Sequence, residues 1–406
     1  MRRSELILAV YLPTALLAMG QGLLLVTLPI HVTELGVSLT IVSVIVAAAA
    51  IGTLVTDVPA GALLHRIGLR RAMLIGSALV VVGTISLAMP LTPEAIVGFR
   101  LLAGVGTAMW GLSRHAFITQ SATLETRGRS IAVFGGINRI GMFAGPAVGG
   151  LVATAASTSA SFLLAGAMGL LAFVAAAMFI PRTGGPAVVL VGGGRKRWDL
   201  VLKTLRTNSS DLIAAAVAQL FAQMIRQGRQ LLIPLVGVGV IGLNPAEVGI
   251  VMTASAVLDM SMFIPAGILM DRFGRKFASV PSFAVMAIGI GMAPFAGSFV
   301  GLLIAGLVIG LGNGLGSGTM MTLGSDLAPE GATGEFLGIW RLIGDVGMVA
   351  GPLAVGLMAA SWGFTGSALT LMVAGFLASG ILFFLVKETR IAPVVHSVEP
   401  VETPGD

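Results

Sequence analysis

Pro59-Ala60-Gly61-Ala62-Leu63-Leu64-His65-Arg66-Ile67-Gly68 returns 206 residues later as Pro265-Ala266-Gly267-Ile268-Leu269-Met270-Asp271-Arg272-Phe273-Gly274. The same offset carries Gly104 and Gly106 onto Gly310 and Gly312, and Gly141-Met142-Phe143-Ala144-Gly145-Pro146 onto Gly347-Met348-Val349-Ala350-Gly351-Pro352. A register held across separate stretches marks a duplicated unit. Around them lie apolar runs near 6–30, 39–64, 72–90, 94–120, 130–154 and 159–181, then near 212–238, 246–270, 277–296, 299–325, 336–360 and 364–386. A bilayer-spanning helix needs about 20 apolar residues, so the chain reads as twelve spans in two copies of six. Six is even, so both copies enter the membrane in the same sense, as a parallel repeat about an axis along the membrane normal. The fold class is an all-α membrane protein of two pseudo-symmetric six-helix halves, 1–181 and 212–390. A basic linker, 182–211, joins them and a tail, 391–406, follows.

Composition points the same way. Of 406 residues, 56 % are hydrophobic and 10 % charged, with a mean hydropathy of +0.99. Soluble domains carry about 25 % charge, and disorder needs low hydrophobicity, so both classes are excluded. Without cysteine there is no disulfide framework, thiolate nucleophile or Cys-based metal site. His31, His65, His115 and His396 are too far apart for metal-ligand spacing. No metal or cofactor is expected, and no catalytic constellation points to an enzyme. The run after Arg2 and Arg3 is longer than a signal peptide's apolar core and reads as an uncleaved first span.

Charge placement sets the orientation. Arg2, Arg3, Arg66, Arg70, Arg71, Arg127, Arg129, Arg182, Arg195, Lys196, Arg197, Lys203, Arg206, Arg272, Arg275, Lys276, Lys387 and Arg390 fall at one end of the spans. By the positive-inside rule that end is cytoplasmic, as are both termini, and a bacterial inner membrane is the expected setting. The cluster Arg195 to Arg197 reads as a juxtamembrane segment near anionic lipid rather than a nucleic-acid site. Six arginines lie within spans (Arg100, Arg114, Arg139, Arg226, Arg229 and Arg341) against three aspartates, Asp57, Asp259 and Asp345.

At these motifs the chain resembles the major facilitator superfamily. Gly61-x-x-x-His65-Arg66-x-Gly68-x-Arg70-Arg71 and Gly267-x-x-x-Asp271-Arg272-x-Gly274-Arg275-Lys276 are similar to that family's loop motif after spans two and eight. Arg100-x-x-Ala103-Gly104 resembles its span-four motif, and Gly141-x-x-x-Gly145-Pro146-x-x-Gly149-Gly150 resembles the span-five pattern of the drug:proton antiporter branch. The resemblance implies a secondary active transporter working by alternating access. For that branch it implies export of hydrophobic or drug-like molecules, as in multidrug efflux, in exchange for protons. The expected partners are a small-molecule substrate, protons and the bilayer, with the protein a monomer. The chain departs from the branch at Gln21, where span one carries no carboxylate, at His65 in place of aspartate, and at Ala103 in place of glutamine. The surplus of arginine motivates an alternative substrate, an organic anion or anionic lipid, and a non-transporting membrane sensor is a third reading.

Each motif also has a physical reading. Gly61, His65, Arg66, Gly68 and Arg70, with Gly267, Asp271, Arg272, Gly274 and Arg275, make tight loops whose cations can dock on carbonyls at helix C-termini, a conformational latch. Gly141, Gly145, Gly149 and Gly150 permit close helix approach, and Pro146 opens the helix ladder. The run Gly310-x-Gly312-x-Gly314-x-Gly316 reads as helix packing, since no nucleotide-loop Gly-Lys-Ser/Thr follows.

Intramembrane charges are costly unless paired or hydrated. Arg139 and Asp259 lie level, about 15 Å from the basic ends of their spans, and can form a cross-half gate. Arg341 can meet Asp57 across the halves or Asp345 one helical turn away. Asp259, Asp345 and Asp57 are the proton-coupling candidates. Gln219, Gln223, Arg226 and Gln230 share a face of span seven beside Gln227 and Arg229, lining either a wet cavity or an interhelical seam. Met260, Met252 and Met262 with Met109 and Trp110 make either a deformable pocket or core. Gln21 and Arg100 complete the cavity candidates, while Arg114 and His115 read as interfacial anchors.

Overall fold

The computed structural model describes residues 7–121, 124–181, 195–207 and 209–389. Within those helices the side chains of 58–63, 65, 119–121, 124–132, 195–197, 205 and 207 are outside the description. Gly61 and His65 of the expected latch, Arg127 and Arg129, the linker residues 182–194 and the tail 391–406 therefore lie outside the described residues.

All described secondary structure is helical. This follows from the solvent: in hydrocarbon each backbone N–H and C=O must be satisfied within its own segment. Span one is a π-turn, Ile7–Tyr11, running into Leu12–Glu34. Spans two to six are Leu39–Ile67, Leu69–Ile85, Pro93–Ser121, Leu124–Ala155 and Thr158–Phe179. Span seven is Ser209–Val236, and span nine is Arg275–Met292. Spans eleven and twelve form one helical stretch, Thr333–Phe384, broken at Gly363, whose φ of 68° favours glycine.

Nine described helices are long and apolar enough to cross a membrane. Span seven is not among them because Arg226, Arg229 and its glutamines depress its hydropathy.

Three elements differ from the sequence reading. Span eight is two helices, Pro245–Ser261 and Phe263–Phe273, interrupted at Met262, where Pro265 cannot donate into the ladder. Span ten is Phe299–Leu315 then Thr319–Asp326, because Gly318 adopts φ 79°. The Gly310 to Gly316 run, expected only to pack helices, thus also ends one. The linker contains a helix, Arg195–Thr207, with Trp198, Leu200 and Leu202 exposed.

The ends of the bundle opposite the basic one, where Glu34, Glu94 and Glu247 lie, are finished by side-chain caps. Ser38, Thr92, Ser157, Asn244 and Ser298 accept hydrogen bonds from backbone N–H groups at the starts of spans two, four, six, eight and ten. At the basic end the turns after spans two and eight pass through Gly68 (φ 80°) and Gly274 (φ 111°).

The two halves repeat their packing contacts. A Cβ at Gly104 would collide with Ala49 O, and one at Gly310 with Ser255 O, so span four meets span two as span ten meets span eight. Gly145 rests on Gly22 of span one, and Gly351 on Gly228 of span seven. All these pairs are related by the 206-residue offset.

Between the halves, span five packs on span eight and span eleven on span two. At the end opposite the basic one the glycines let the backbones meet closely: Gly150 against Pro245 O, Gly249 against Pro146 O, and Gly356 against the Ser43 side chain and Leu39 O. Nearer the basic end, Gly135 and Gly136 of span five, Gly267 of span eight and Gly338 of span eleven have nothing within 4 Å of where a Cβ would sit. This conformer is shut at the end opposite the basic one.

Candidate functional site

Beneath the shut end lies a cavity of about 210 Å³. Spans one, two and four supply most of its wall, including Gln21, Leu24, Ala49, Thr53, Arg100 and Thr107, while Gln227, Gln230, Met348 and Pro352 close it from the second half. Gln21 Nε2 donates to Thr107 Oγ1 at 3.3 Å. Arg100 is the one charged residue of the lining. Its Nε is buried without a hydrogen-bond partner.

The span-seven face divides between the two arrangements open to it. Gln227 and Gln230 line the cavity. Gln219 and Gln223 instead abut Gly344 of span eleven, forming an interhelical seam. Arg226 donates from Nη2 to Gly316 O at 3.1 Å, into the break of span ten, and lies 5.3 Å from the Phe283 ring centroid. The buried Nε of Arg229 has no partner.

The expected methionine pocket is not built from the residues proposed for it. Trp110 is buried with Met73, Phe134 and Ala172 in the core of the first half. Met109 and Met252 are buried, Met260 is exposed, and none of these, nor Met262, lines the cavity. Helical phase explains this: Gly104 and Trp110 lie on faces of span four turned toward spans two and three, leaving Arg100, Ala103 and Thr107 to face inward.

Two charge clusters sit between the cavity and the basic end. In the first, Asp259 is 4 % exposed. Its Oδ2 accepts from Asn313 Nδ2 at 2.6 Å, and its Oδ1 is unpaired. Arg139, Arg226 and Arg229 all interact with it electrostatically. No ion pair joins Arg139 to Asp259 among the described residues. Arg139 instead crosses the halves to Ser317, donating from Nη1 to Oγ at 3.3 Å, with its guanidinium 3.9 Å from the Phe263 ring centroid.

In the second cluster Arg341 lies between the two aspartates offered to it. Its Nη2 lies 3.1 Å from Asp57 across the halves, and its Nε 4.0 Å from Asp345 on its own helix. Arg114, read as an interfacial anchor, lies over the Phe134 ring and feels the charge of Arg341.

The loops at the basic end are docked as their spacing suggests. Arg70 donates to Ile180 O and Ala177 O at the end of span six. Lys276, its counterpart in the second half, donates to Phe383 O at the end of span twelve. Arg275 pairs with Asp326 at 2.9 Å and with Asp271 at 3.8 Å, and Glu388 accepts from the backbone N–H groups of Arg275 and Lys276.

Ser317, Asn313 and Thr253 escaped the sequence reading. The signal for the first was the turn-rich Gly316-Ser317-Gly318 inside an apolar run. Thr253 Oγ1 docks on span five beside Pro146, accepting from Ala147 N at 3.1 Å and donating to Phe143 O at 3.0 Å.

Two repeated six-helix halves enclosing a largely apolar cavity with a few polar groups in its wall, with charge clusters on the path to one end, define a polytopic membrane transporter rather than an enzyme. The chain matches the model of the Major Facilitator Superfamily twice, over residues 10–226 and 215–402, and it belongs to that family. A sequence search of curated proteins gives no match. Among solved structures it is similar to a D-xylose-proton symporter, with a TM-score of 0.77 at 17 % identity over 96 % of this chain and 99 % of that one. It is also similar to a nucleoside transporter (TM-score 0.76, 13 % identity, 93 % and 100 % covered). A third similar structure is a POT family transporter in complex with a thioalcohol-conjugated peptide (TM-score 0.72, 13 % identity, 94 % and 95 % covered).

Proposed function

We propose that this transporter exports a small, largely apolar molecule in exchange for protons by rocking its two halves about the cavity, with the basic end facing the cytoplasm. The observation that carries this reading is the cavity itself, walled by both halves and sealed at the end opposite the basic one by glycine contacts, of which Gly150 on Pro245 and Gly356 on Leu39 are related by the 206-residue offset. A seal made of glycines and small hydroxyl side chains can part as a rigid body without unpacking large side chains. Asp259, Asp345 and Asp57 are the proton carriers of this scheme, because they are the carboxylates placed between the cavity and the basic end. The latch contacts of Arg70 and Lys276 tie the loops to the last helix of each half, so that each half moves as a unit. The protein acts as a monomer in a bacterial inner membrane.

The export reading draws on the span-five glycines and on the aliphatic cavity wall. A second reading, transport of an organic anion or anionic lipid, draws on Arg100 and on the three arginines around Asp259. Flux of fluorescent apolar compounds into inverted proteoliposomes under an imposed pH gradient tests the proposal. Gradient-dependent flux that collapses with a protonophore supports it; flux indifferent to the gradient removes the proton.

A further inference from the structure

The cavity wall contains one guanidinium and no carboxylate. Arg100 makes no ion pair or hydrogen bond among the described residues, and its Nε is buried and unpaired. An arginine left in this state within the membrane is expensive unless something supplies the opposite charge. No described residue does so. The three aspartates of the interior are engaged elsewhere, Asp57 and Asp345 with Arg341 and Asp259 with Asn313.

We infer that the cavity binds a small organic monoanion whose carboxylate, or an equally compact anionic group, pairs with Arg100. This rests on the transport reading above and names its substrate class. Around the guanidinium, Gln21, Gln227, Gln230, Thr53 and Thr107 offer neutral polar groups. Leu24, Leu28, Val46, Met142 and Met348 offer an apolar surface for the rest of the molecule.

Size narrows the class. Drug-sized ligands occupy pockets of about 300–1,000 Å³, and this one is about 210 Å³. A one- or two-ring or short branched carboxylate fits, whereas a two-chain lipid does not. Charge narrows it further. A cation would meet Arg100 in a cavity whose wall holds no carboxylate, and Arg139, Arg226 and Arg229 in the cluster around Asp259.

The test uses the full-length purified protein and three probes of one shape: 2-naphthoate, the neutral 2-naphthamide and the cationic 2-naphthylmethylammonium. Binding is read by calorimetry and by thermal stabilisation, in the wild type and in Arg100→Gln and Arg100→Lys. Naphthoate is expected to bind the wild type, to lose at least about tenfold in affinity in Arg100→Gln, and to lose less in Arg100→Lys, which keeps the charge. If the amide or the ammonium binds wild type as tightly as the carboxylate, the inference is overturned without reference to any variant. Undiminished naphthoate binding by Arg100→Gln overturns it equally.

Flux in proteoliposomes separates this inference from the reading beneath it. Arg100-dependent naphthoate binding without gradient-driven flux leaves the anion site standing and removes proton-coupled transport. Gradient-driven flux of neutral compounds that is unaltered in Arg100→Gln does the reverse.

Discussion

Asp259 is a carboxylate with one oxygen held by Asn313 and the other held by nothing, in a neighbourhood of three arginines. A free oxygen on a buried acid is a place for a proton. Asp259→Asn keeps the shape, can still bond Asn313, and removes the charge. In the double variant with Asp345→Asn, gradient-driven flux is expected to fall to background while ligand binding persists in part; undiminished flux would exclude both acids as carriers. Arg341 is a different case, because its side chain is 55 % exposed and water already screens it. Arg341→Gln should therefore change thermal stability by no more than about 1 kcal/mol, while shifting the balance between conformers, since its contact with Asp57 crosses the halves. Some of this was legible in the sequence. Counting rise per residue put Arg139 and Asp259 at one depth, and the structure brings them within electrostatic reach. What intervenes, the hydroxyl of Ser317, was not legible, because its position depends on the break of span ten at Gly318, whose positive φ no apolar pattern reveals.

Spacing alone placed Gly141, Gly145 and Gly149 on one face of span five, but it could not say which helix they would meet. All three meet span one, while Gly150, one position round, meets span eight of the other half. A Cβ at Gly145 would press into the backbone at Gly22, which no rotamer change can relieve. Gly145→Val is expected to cost about 1–3 kcal/mol or more in thermal or denaturant unfolding, whereas Gly136→Ala, which faces open space, should be neutral or slightly stabilising. Pro146 adds a feature that periodicity cannot show. Beside it Thr253 Oγ1, from the opposite half, accepts from Ala147 N and donates to Phe143 O. Thr253→Val removes both contacts from the shut form, at about 1–3 kcal/mol, and takes nothing from the form in which the halves have parted. Distance labels at the ends of spans five and eight opposite the basic end should therefore report more of the separated form in Thr253→Val than in wild type. An unchanged distribution would mean that the hydroxyl does not hold the seal.

The twelve spans, their duplication and their parallel sense were all readable, because the bilayer imposes helix length and the repeat imposes register. Which end is shut was not, since both arrangements of the halves satisfy the same apolar pattern. The structure shows the end opposite the basic one closed and Arg139 bonded to Ser317 rather than to Asp259. Rocking the halves to shut the basic end swings span five toward span eight there, and Arg139 can then exchange a neutral hydroxyl for a carboxylate that now lacks a partner on one oxygen. Such an exchange favours the form closed at the basic end by the difference between the two contacts, and a ligand or proton that alters Asp259 alters the equilibrium with it. Removing either charge should accordingly enrich the conformer seen here, and restoring opposite charges in reversed places, as Arg139→Asp with Asp259→Arg, should recover part of the lost population. The measurement is a double-mutant cycle on the populations of the two forms, read by distance labels across the basic end. Coupling above about 0.5 kcal/mol is expected if the two residues meet in the other conformer; single changes that simply add would show that they never do.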